Sequence, residues 1–294
     1  MSTAGHPSSD KDSARTGVPR ILVGVDGSED GLRAVRYGAR AALVMDGALH
    51  LVHAVDDAVL AGAWGVVYDP RALEEAGAQA NGTAMEAAVE LGLPRERIDS
   101  EVVLGNAAAV LSRMSEQAAL MVVGRRSVSG LERMFIGSTS VALADASHCP
   151  LVVVSQAATP QPTGGLQRVA VAVDAQSHSP ATLEWAFREA GQRGALLEVV
   201  HVLPGAAGSE DQQVRELARR EIERILAPLR EAHPSVEVEL TVVHGSPVDV
   251  LVDVSSQVDL LVLGVQKPKL LGIHLGGVMR AVLAHAQAPV VLVR

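Results

Sequence analysis

The chain has 294 residues, of which 48% are apolar, a net charge of −9 and one cysteine. Its length suits two ordinary domains, and an acidic balance without a basic block argues against nucleic acid as a main partner. A single cysteine excludes a disulfide framework within the chain, which fits a reducing compartment. Aromatic residues make up only 2%, so the core must consist of Val, Leu and Ala, which is typical of buried parallel strands.

The first 19 residues are polar and rich in Gly, Ser and Asp, and we expect residues 1–19 to form a disordered tail. They lack the apolar segment of a signal peptide. No apolar run approaches the roughly 18 residues that span a bilayer. We therefore expect a soluble, cytoplasmic protein without a membrane partner.

Short apolar segments alternate with helical patterns along the first half of the chain. Ser28 is a good N-cap for the first helix, with Glu29 and Asp30 in its first turn. The predicted strands are Arg20–Val25, Ala48–Val55, Ile98–Leu104, Leu120–Val123 and Leu151–Ser155, separated by helices near residues 28–45, 70–91, 107–117 and 137–147. This alternation predicts an α/β fold of right-handed βαβ units, with a doubly wound parallel sheet and helices on both faces.

The pattern restarts after a Pro-, Thr- and Gly-rich stretch, which predicts a linker at residues 158–166. Five landmarks recur: Asp26 and His53 match Asp174 and His201 at an offset of 148, and Gly105, Gly124 and Gly137 match Gly245, Gly264 and Gly277 at an offset of 140. The net difference of eight residues falls between the second and third strands. Such spacing indicates a tandem duplication, with domains at residues 20–157 and 167–294.

We expect each unit to be a Rossmann-like five-stranded sheet with the strand order 3-2-1-4-5. That order would place the first and fourth strands side by side, so the residues at their carboxyl ends would face one pocket. The fifth strands, Leu151–Ser155 and Val290–Val293, are apolar and expected at the sheet edges, where exposed apolar strands tend to be covered.

The candidate ligand site follows the fourth strand, which stops at Gly124 before a helix that opens at Gly137. A helix N-terminus offers unpaired N–H groups and the positive end of the helix dipole to an anion. Ser138, Thr139 and Ser140 add hydroxyl donors. The stretch is not a Walker loop, because no Gly-Lys-Ser/Thr follows. The site therefore suits phosphate held mainly by backbone amides.

These residues resemble the universal stress protein family, in the tandem form found in actinobacteria. ATP-binding members carry Gly, two residues, Gly, nine residues, Gly, then Ser or Thr. Here Gly124 is followed at the same spacing by Ser127 and by Gly137-Ser138, so one glycine is replaced by serine. Asp26 and Gly105 match further family positions. The resemblance covers residues 20 to 294 and implies an ATP-binding stress-response regulator, a homodimer with an unknown signalling partner. It also implies that the two units pair through their fifth strands around a pseudo-twofold axis.

The resemblance also assigns site residues. Asp26 would contact the ribose or help hold Mg²⁺, and Ala54 would meet the adenine through its backbone. In the first unit the predicted binding residues are Gly24, Val25, Asp26, Ala54, Gly105, Val123, Gly124, Arg126, Ser127, Gly137, Ser138, Thr139 and Ser140. In the second unit they are Val173, Asp174, Val202, Gly264, Lys267, Gly277 and Val278.

We expect the first unit to bind nucleotide in preference to the second. Where the first unit has hydroxyl side chains at the helix start, the second has Val278 and Met279. The loss of side-chain donors should weaken binding by roughly 1 kcal/mol per hydrogen bond, and by more where the bond is to a charged phosphate.

Other interpretations remain open at this point. Asp26 could be a turn residue, Arg125 and Arg126 a solvated loop, Cys149 a small core residue, and His53 and His201 core histidines. The sequence shows no Ser-His-Asp constellation or zinc spacing, so any ATP hydrolysis should be slow. Two other nucleotide-binding classes are disfavoured. The chain lacks the Ser-Gly-Gly-x-Asp-Ser-like loop that an enzyme of the ATP-pyrophosphatase type would have after the first strand, and it lacks the G-x-G-x-x-G motif of a dinucleotide-binding module. A nucleotide-free interaction protein of the same fold is the main alternative.

Overall fold

The structure is a computed structural model that describes residues 17–56, 70–125, 137–155, 167–205, 211–265 and 276–294. Its strands are β1 Arg20–Gly24, β2 Ala48–Val55, β3 Ile98–Leu104, β4 Leu120–Gly124, β5 Leu151–Val154, β6 Arg168–Ala172, β7 Leu196–Pro204, β8 Val238–Gly245, β9 Leu260–Gly264 and β10 Val290–Val293. Its helices are α1 Glu29–Val44, α2 Pro70–Glu90, α3 Ala107–Met114, α4 Ser138–Ala146, α5 Pro180–Arg193, α6 Asp211–Ala232, α7 Pro247–Ser255 and α8 Gly277–His285. Short 3₁₀ turns at Arg95–Arg97 and Ser115–Gln117 lead into β3 and β4.

The strands form one sheet in the order β3-β2-β1-β4-β5-β10-β9-β6-β7-β8. Each half thus has the expected order 3-2-1-4-5, and its strand pairs are parallel. The two predicted sheets are joined, because β5 pairs with β10 in antiparallel fashion, with Val153 opposite Val290. Edge pairing of the two units is therefore confirmed. Each apolar edge strand covers the other, which removes two exposed edges from the molecule.

Helices pack on both faces of this sheet, as the sequence predicts. One core lies beneath α1, α2, α5 and α6, and contains Ile21, Leu49, Phe187 and Leu197 among its fully buried side chains. The other lies beneath α3, α4, α7 and α8. Both cores include residues of the two halves and of the β5–β10 junction. The duplicated units therefore share their hydrophobic interior.

The two halves differ locally at the start of their first helix. The N-cap residues Ser28 and Ser179 lie 151 positions apart, whereas Asp26 and Asp174 lie 148 apart. The second half thus has three more residues between the strand-end aspartate and the helix, and recovers its register before β7. The length differences are therefore not confined to the segment between the second and third strands.

Arginine side chains cross the junction between the halves. Arg125 Nη1 donates to the carbonyl oxygen of Leu283 at 3.0 Å and to that of Ala284. In the opposite direction, Arg294 Nη2 donates to the carbonyl oxygen of Ala144 at 2.7 Å. Arg125 is therefore bound to the end of α8, and is not the solvated loop residue that was one interpretation of the sequence. None of the described helices combines the length and the apolar character needed to cross a membrane.

Candidate functional site

The first and fourth strands of the first unit lie side by side, with Val23 opposite Val122. Their ends approach the start of α1 closely. A Cβ atom at Gly124 would lie 2.6 Å from the carbonyl carbon of Asp30 and 2.8 Å from the backbone nitrogen of Gly31. No side chain fits in that space, so glycine is required here by close packing of backbone on backbone. Gly24 is similarly enclosed, since its Cβ would lie 2.9 Å from Leu111 Cδ1.

Asp26 lies in the turn between β1 and α1, and its side chain organises that turn. Its Oδ1 accepts hydrogen bonds from the backbone N–H of Ser28 at 3.0 Å and from the Ser28 hydroxyl at 2.6 Å. The Ser28 hydroxyl in turn accepts from the N–H of Gly31 at 3.0 Å, which caps α1. Asp26 is exposed, and a carboxylate can accept further hydrogen bonds. A structural role and a ligand contact are therefore compatible at this residue.

The helix that follows the predicted phosphate loop begins as the sequence indicates. Gly137 is the N-cap of α4, Ser138 is exposed and Thr139 is half-buried. Ser140 is buried, and its hydroxyl donates to the carbonyl oxygen of Gly124 at 3.3 Å. Ser140 therefore ties the helix to the strand end, which leaves Ser138 and Thr139 as the accessible hydroxyls. The predicted contacts Arg126 and Ser127 lie outside the described residues.

Other predicted residues of the first unit lie around this edge. Val25 is buried and its N–H donates to the carbonyl of Val52, so it anchors β1 to β2. Val123 is buried next to the strand end. Ala54 pairs with Val103 in the parallel ladder between β2 and β3. Gly105 has a φ of 137°, a left-handed backbone conformation that favours glycine, as does its counterpart Gly245 at 156°.

In the second unit a cavity of about 1220 Å³ opens at the carboxyl ends of β6 and β9. Five residues predicted from the sequence line it: Val173, Asp174, Val202, Gly264 and Val278. Gly277 is the first residue of α8 and lies between two lining residues, Gly276 and Val278. Helix α8 thus begins at Gly277, whereas its counterpart α4 begins one position after Gly137. Lys267 lies outside the described residues.

Asp174 is held in the wall of this cavity by its own loop. Oδ1 accepts from the backbone N–H of Gln176 at 2.9 Å, and Oδ2 accepts from the Ser177 hydroxyl. Burial alone would raise the pKa of Asp174, but these hydrogen bonds and the nearby His201 outweigh burial and lower it. The carboxylate is therefore ionised at neutral pH.

The two histidines at the ends of the second strands differ in their surroundings. His201 is buried beside the cavity, and its Nδ1 lies 2.8 Å from the carbonyl oxygen of Val173, which confirms it as a satisfied core histidine. In the first half, the Nδ1 atom of His53 is buried without a hydrogen-bond partner among the described residues. A Cβ at Gly77 would lie 2.7 Å from its ring.

Parts of the cavity wall were not predicted from the sequence. Helix α6 contributes Val214, Ala218 and Glu221, which share one face of that helix. Asp145 reaches the cavity from α4 of the other half. The helical wall could have been inferred from the spacing of α6, but Asp145 depends on the junction of the two sheets. Within the described ranges, no group of three or more His, Cys, Asp or Glu residues is placed to hold a metal ion.

The architecture defines a duplicated α/β protein with ligand-sized space where its parallel strands end. The family model described as the universal stress protein family matches residues 17–155 and 165–294. The chain belongs to the universal stress protein family.

Relatives agree with this assignment, and a solved structure shares the fold. The chain is 32% identical to universal stress protein Rv2005c of Mycobacterium tuberculosis, an alignment that covers 93% of this chain and 96% of the relative. It is 30% identical to Rv1996 of the same species, with 93% and 94% covered. A universal stress protein from Archaeoglobus fulgidus has the same fold, with a TM-score of 0.68 at 16% identity over 94% of this chain and 96% of that one.

Proposed function

We propose that this protein is a stress-response regulator that binds ATP at the carboxyl ends of the first and fourth strands, in the first unit in preference to the second. The observation that carries the proposal is the edge where the first and fourth strands of each unit end side by side, which in the second unit opens into a cavity lined by five residues predicted as nucleotide contacts. The first unit repeats the same strand order and has accessible hydroxyls at the start of α4. In open α/β sheets this is the edge where ligands bind.

The groups in the first unit suit the parts of a nucleotide. The N-terminus of α4, with Ser138 and Thr139, would bind the phosphates through N–H and O–H donors. Gly124 keeps the strand end free of a side chain, and Arg126 and Ser127 would complete the phosphate loop. Asp26 would contact the ribose or a Mg²⁺ ion. One carboxylate together with phosphate oxygens is a usual environment for Mg²⁺, so its exposed carboxylate fits that metal.

The proposed role is regulatory. The residues of the proposed site orient and hold a ligand. None of them is proposed as a general base, so we expect at most slow ATP hydrolysis. A cytoplasmic location, a homodimer and a signalling partner protein form part of the same proposal, on the strength of the family resemblance. A nucleotide-free interaction protein is the competing interpretation.

The test is a titration of the intact protein with ATP and Mg²⁺, by calorimetry and by thermal unfolding. We expect saturable heat and a rise in melting temperature, because a ligand that binds only the folded state stabilises it. Asp26→Ala should weaken binding about tenfold or more. Asp253→Ala, at an exposed position on α7, is the matched control. If millimolar ATP produces no heat of binding and no rise in melting temperature, the proposal is refuted and the nucleotide-free interaction protein becomes the conclusion.

A further inference from the structure

The two strand-end sites differ in the first turn of the helix that faces the ligand. In the first unit that turn presents the hydroxyls of Ser138 and Thr139. In the second unit both Val278 and Met279 line the cavity, so apolar side chains occupy the place where hydroxyls would meet a phosphate. The second site has therefore lost side-chain donors from the part of the pocket that binds anions.

The charges around the second cavity also disfavour a phosphate chain. Among the described residues that line it, none is lysine or arginine. Asp174 is an ionised carboxylate, since the hydrogen bonds from its loop lower its pKa. A triphosphate would have to enter beside three acidic lining residues, Asp145, Asp174 and Glu221, and no lysine or arginine among the described lining residues would offset their charge. The backbone N–H groups at the start of α8 are still present, but the side chains next to them, Val278 and Met279, are apolar.

The same wall suits an uncharged sugar and base. The Asp174 carboxylate accepts hydrogen bonds from the backbone N–H of Gln176 and from the hydroxyl and backbone N–H of Ser177. Because an ionised carboxylate has about four acceptor positions, it can still accept from a ribose hydroxyl. Val173, Val202, Leu203 and Leu263 supply apolar surface around it, as is usual in pockets for small ligands. The three-residue insertion before α5 adds Gln176 and His178 as polar lining groups, whereas only Gly27 separates Asp26 from the N-cap Ser28 in the first unit.

We propose that the cavity of the second unit takes an uncharged nucleoside, whereas the site of the first unit takes the nucleoside triphosphate. This inference rests on the proposed function, because it assumes that the strand-end sites recognise adenine compounds. The duplicated chain would then carry two ligand sites of different chemistry. One would respond to the triphosphate and the other to its dephosphorylated form.

The first experiment titrates the full chain with adenosine and, separately, with ATP and Mg²⁺ in a calorimeter. We expect one adenosine site and one ATP site per chain. Asp174→Asn should weaken adenosine binding about tenfold, because it removes the charged acceptor for the ribose hydroxyls. The control Asp253→Asn makes the same change at an exposed position on α7, outside the cavity lining, and should leave adenosine binding as in the wild type.

The second experiment restores the missing donors. The double variant Val278→Ser, Met279→Thr should gain affinity for ATP at the second site by about fivefold per hydrogen bond formed, and the ATP stoichiometry should rise from one to two. Val44→Ser, at an exposed valine at the end of α1, is the matched control and should add no ATP site. This variant keeps the test informative if Asp174→Asn disturbs the folding of its loop.

The outcomes separate the two proposals. Two ATP sites of similar affinity in the wild-type chain, or no adenosine site, would overturn the inference. ATP that fails to bind the wild-type chain, alongside adenosine binding that depends on Asp174, would refute the proposed function and leave the second cavity as a nucleoside site. Restored hydroxyls that add no ATP affinity would also count against the inference.

Discussion

The guanidinium of Arg193 donates a hydrogen bond to the hydroxyl of Tyr37, with Nη2 and Oη 3.0 Å apart. Arg193 lies in the last turn of α5 in the second half, and Tyr37 lies on α1 in the first. Arg193 also pairs with Glu189, with its Nε 2.7 Å from Oε1, and lies 5.8 Å from the centre of the Tyr37 ring. The two duplicated halves are therefore joined by a polar contact beside their shared core, in addition to the strand pairing.

Arg193→Ala should lower the free energy of unfolding by about 2–4 kcal/mol. The substitution leaves Glu189 and the Tyr37 hydroxyl without their partner, in surroundings where only 22% of the Arg193 side chain and 19% of the Glu189 side chain are exposed. Chemical denaturation measures the change. Arg220→Ala is the control, because its pair with Glu216 is exposed and should contribute less than about 1 kcal/mol. Equal effects of the two variants would contradict the assignment.

Tyr37 should lose its phenolic proton at a higher pH than an ordinary tyrosine. Burial raises the pKa of Tyr37 to about 12 from 10.0, although Arg193 opposes the shift. Between these pH values the unfolded chain has released the phenolic proton and the folded chain has kept it, so the free energy of unfolding falls as the pH rises, by up to about 1.4 kcal/mol per pH unit. Phenolate absorbance during a pH titration should show a late transition that is absent in Tyr37→Phe. A transition at the ordinary pKa in the folded protein would contradict this.

Gly124→Ala should destabilise the protein by about 1–3 kcal/mol. The new methyl group would lie within 2.8 Å of three backbone atoms of Asp30 and Gly31, and backbone cannot move aside as a flexible side chain can. Gly82→Ala is the matched control on α2, where a Cβ would meet nothing within 4 Å and should add about 0.5–1 kcal/mol by favouring the helix. In urea denaturation the free energy of unfolding should fall for Gly124→Ala and rise for Gly82→Ala. Equal changes in the two variants would exclude close packing as the reason for glycine at position 124.

Cys149 should react slowly with thiol reagents in the folded state. Burial raises the pKa of its thiol to about 11, and only the thiolate is nucleophilic. At neutral pH we expect reaction with dithiobis-nitrobenzoate on the order of 100-fold slower in the native protein than in denaturant. The unfolded protein is its own control. Similar rates in both states would show that the thiol is accessible, contrary to its interpretation as a core residue.

Periodicity and spacing predicted the strands, the helices and the duplication, because buried parallel strands read as continuous apolar runs and repeated glycines fix the register between units. The roles of individual side chains at the site were harder to predict from the sequence. Three consecutive residues, Ser138 to Ser140, all read as donors, but helical geometry turns Ser140 inward to Gly124. Arg125 follows the glycine in sequence, yet its partner is 158 residues away. Contacts across the β5–β10 junction depend on tertiary arrangement, which local sequence does not encode.

Arg125 and Arg294 make reciprocal contacts across that junction, and each should stabilise a helix of the opposite half. A cation at the C-terminal end of a helix satisfies free carbonyls and opposes the negative end of the dipole. Arg125→Ala should fray the end of α8, whose Leu283 carbonyl it binds, and Arg294→Ala should fray the end of α4 at Ala144. We expect each change to cost about 1–2 kcal/mol. Amide hydrogen exchange should rise at the end of α8 in the first variant and at the end of α4 in the second. If both variants loosened the same helix, or neither did, the reciprocal arrangement would be wrong.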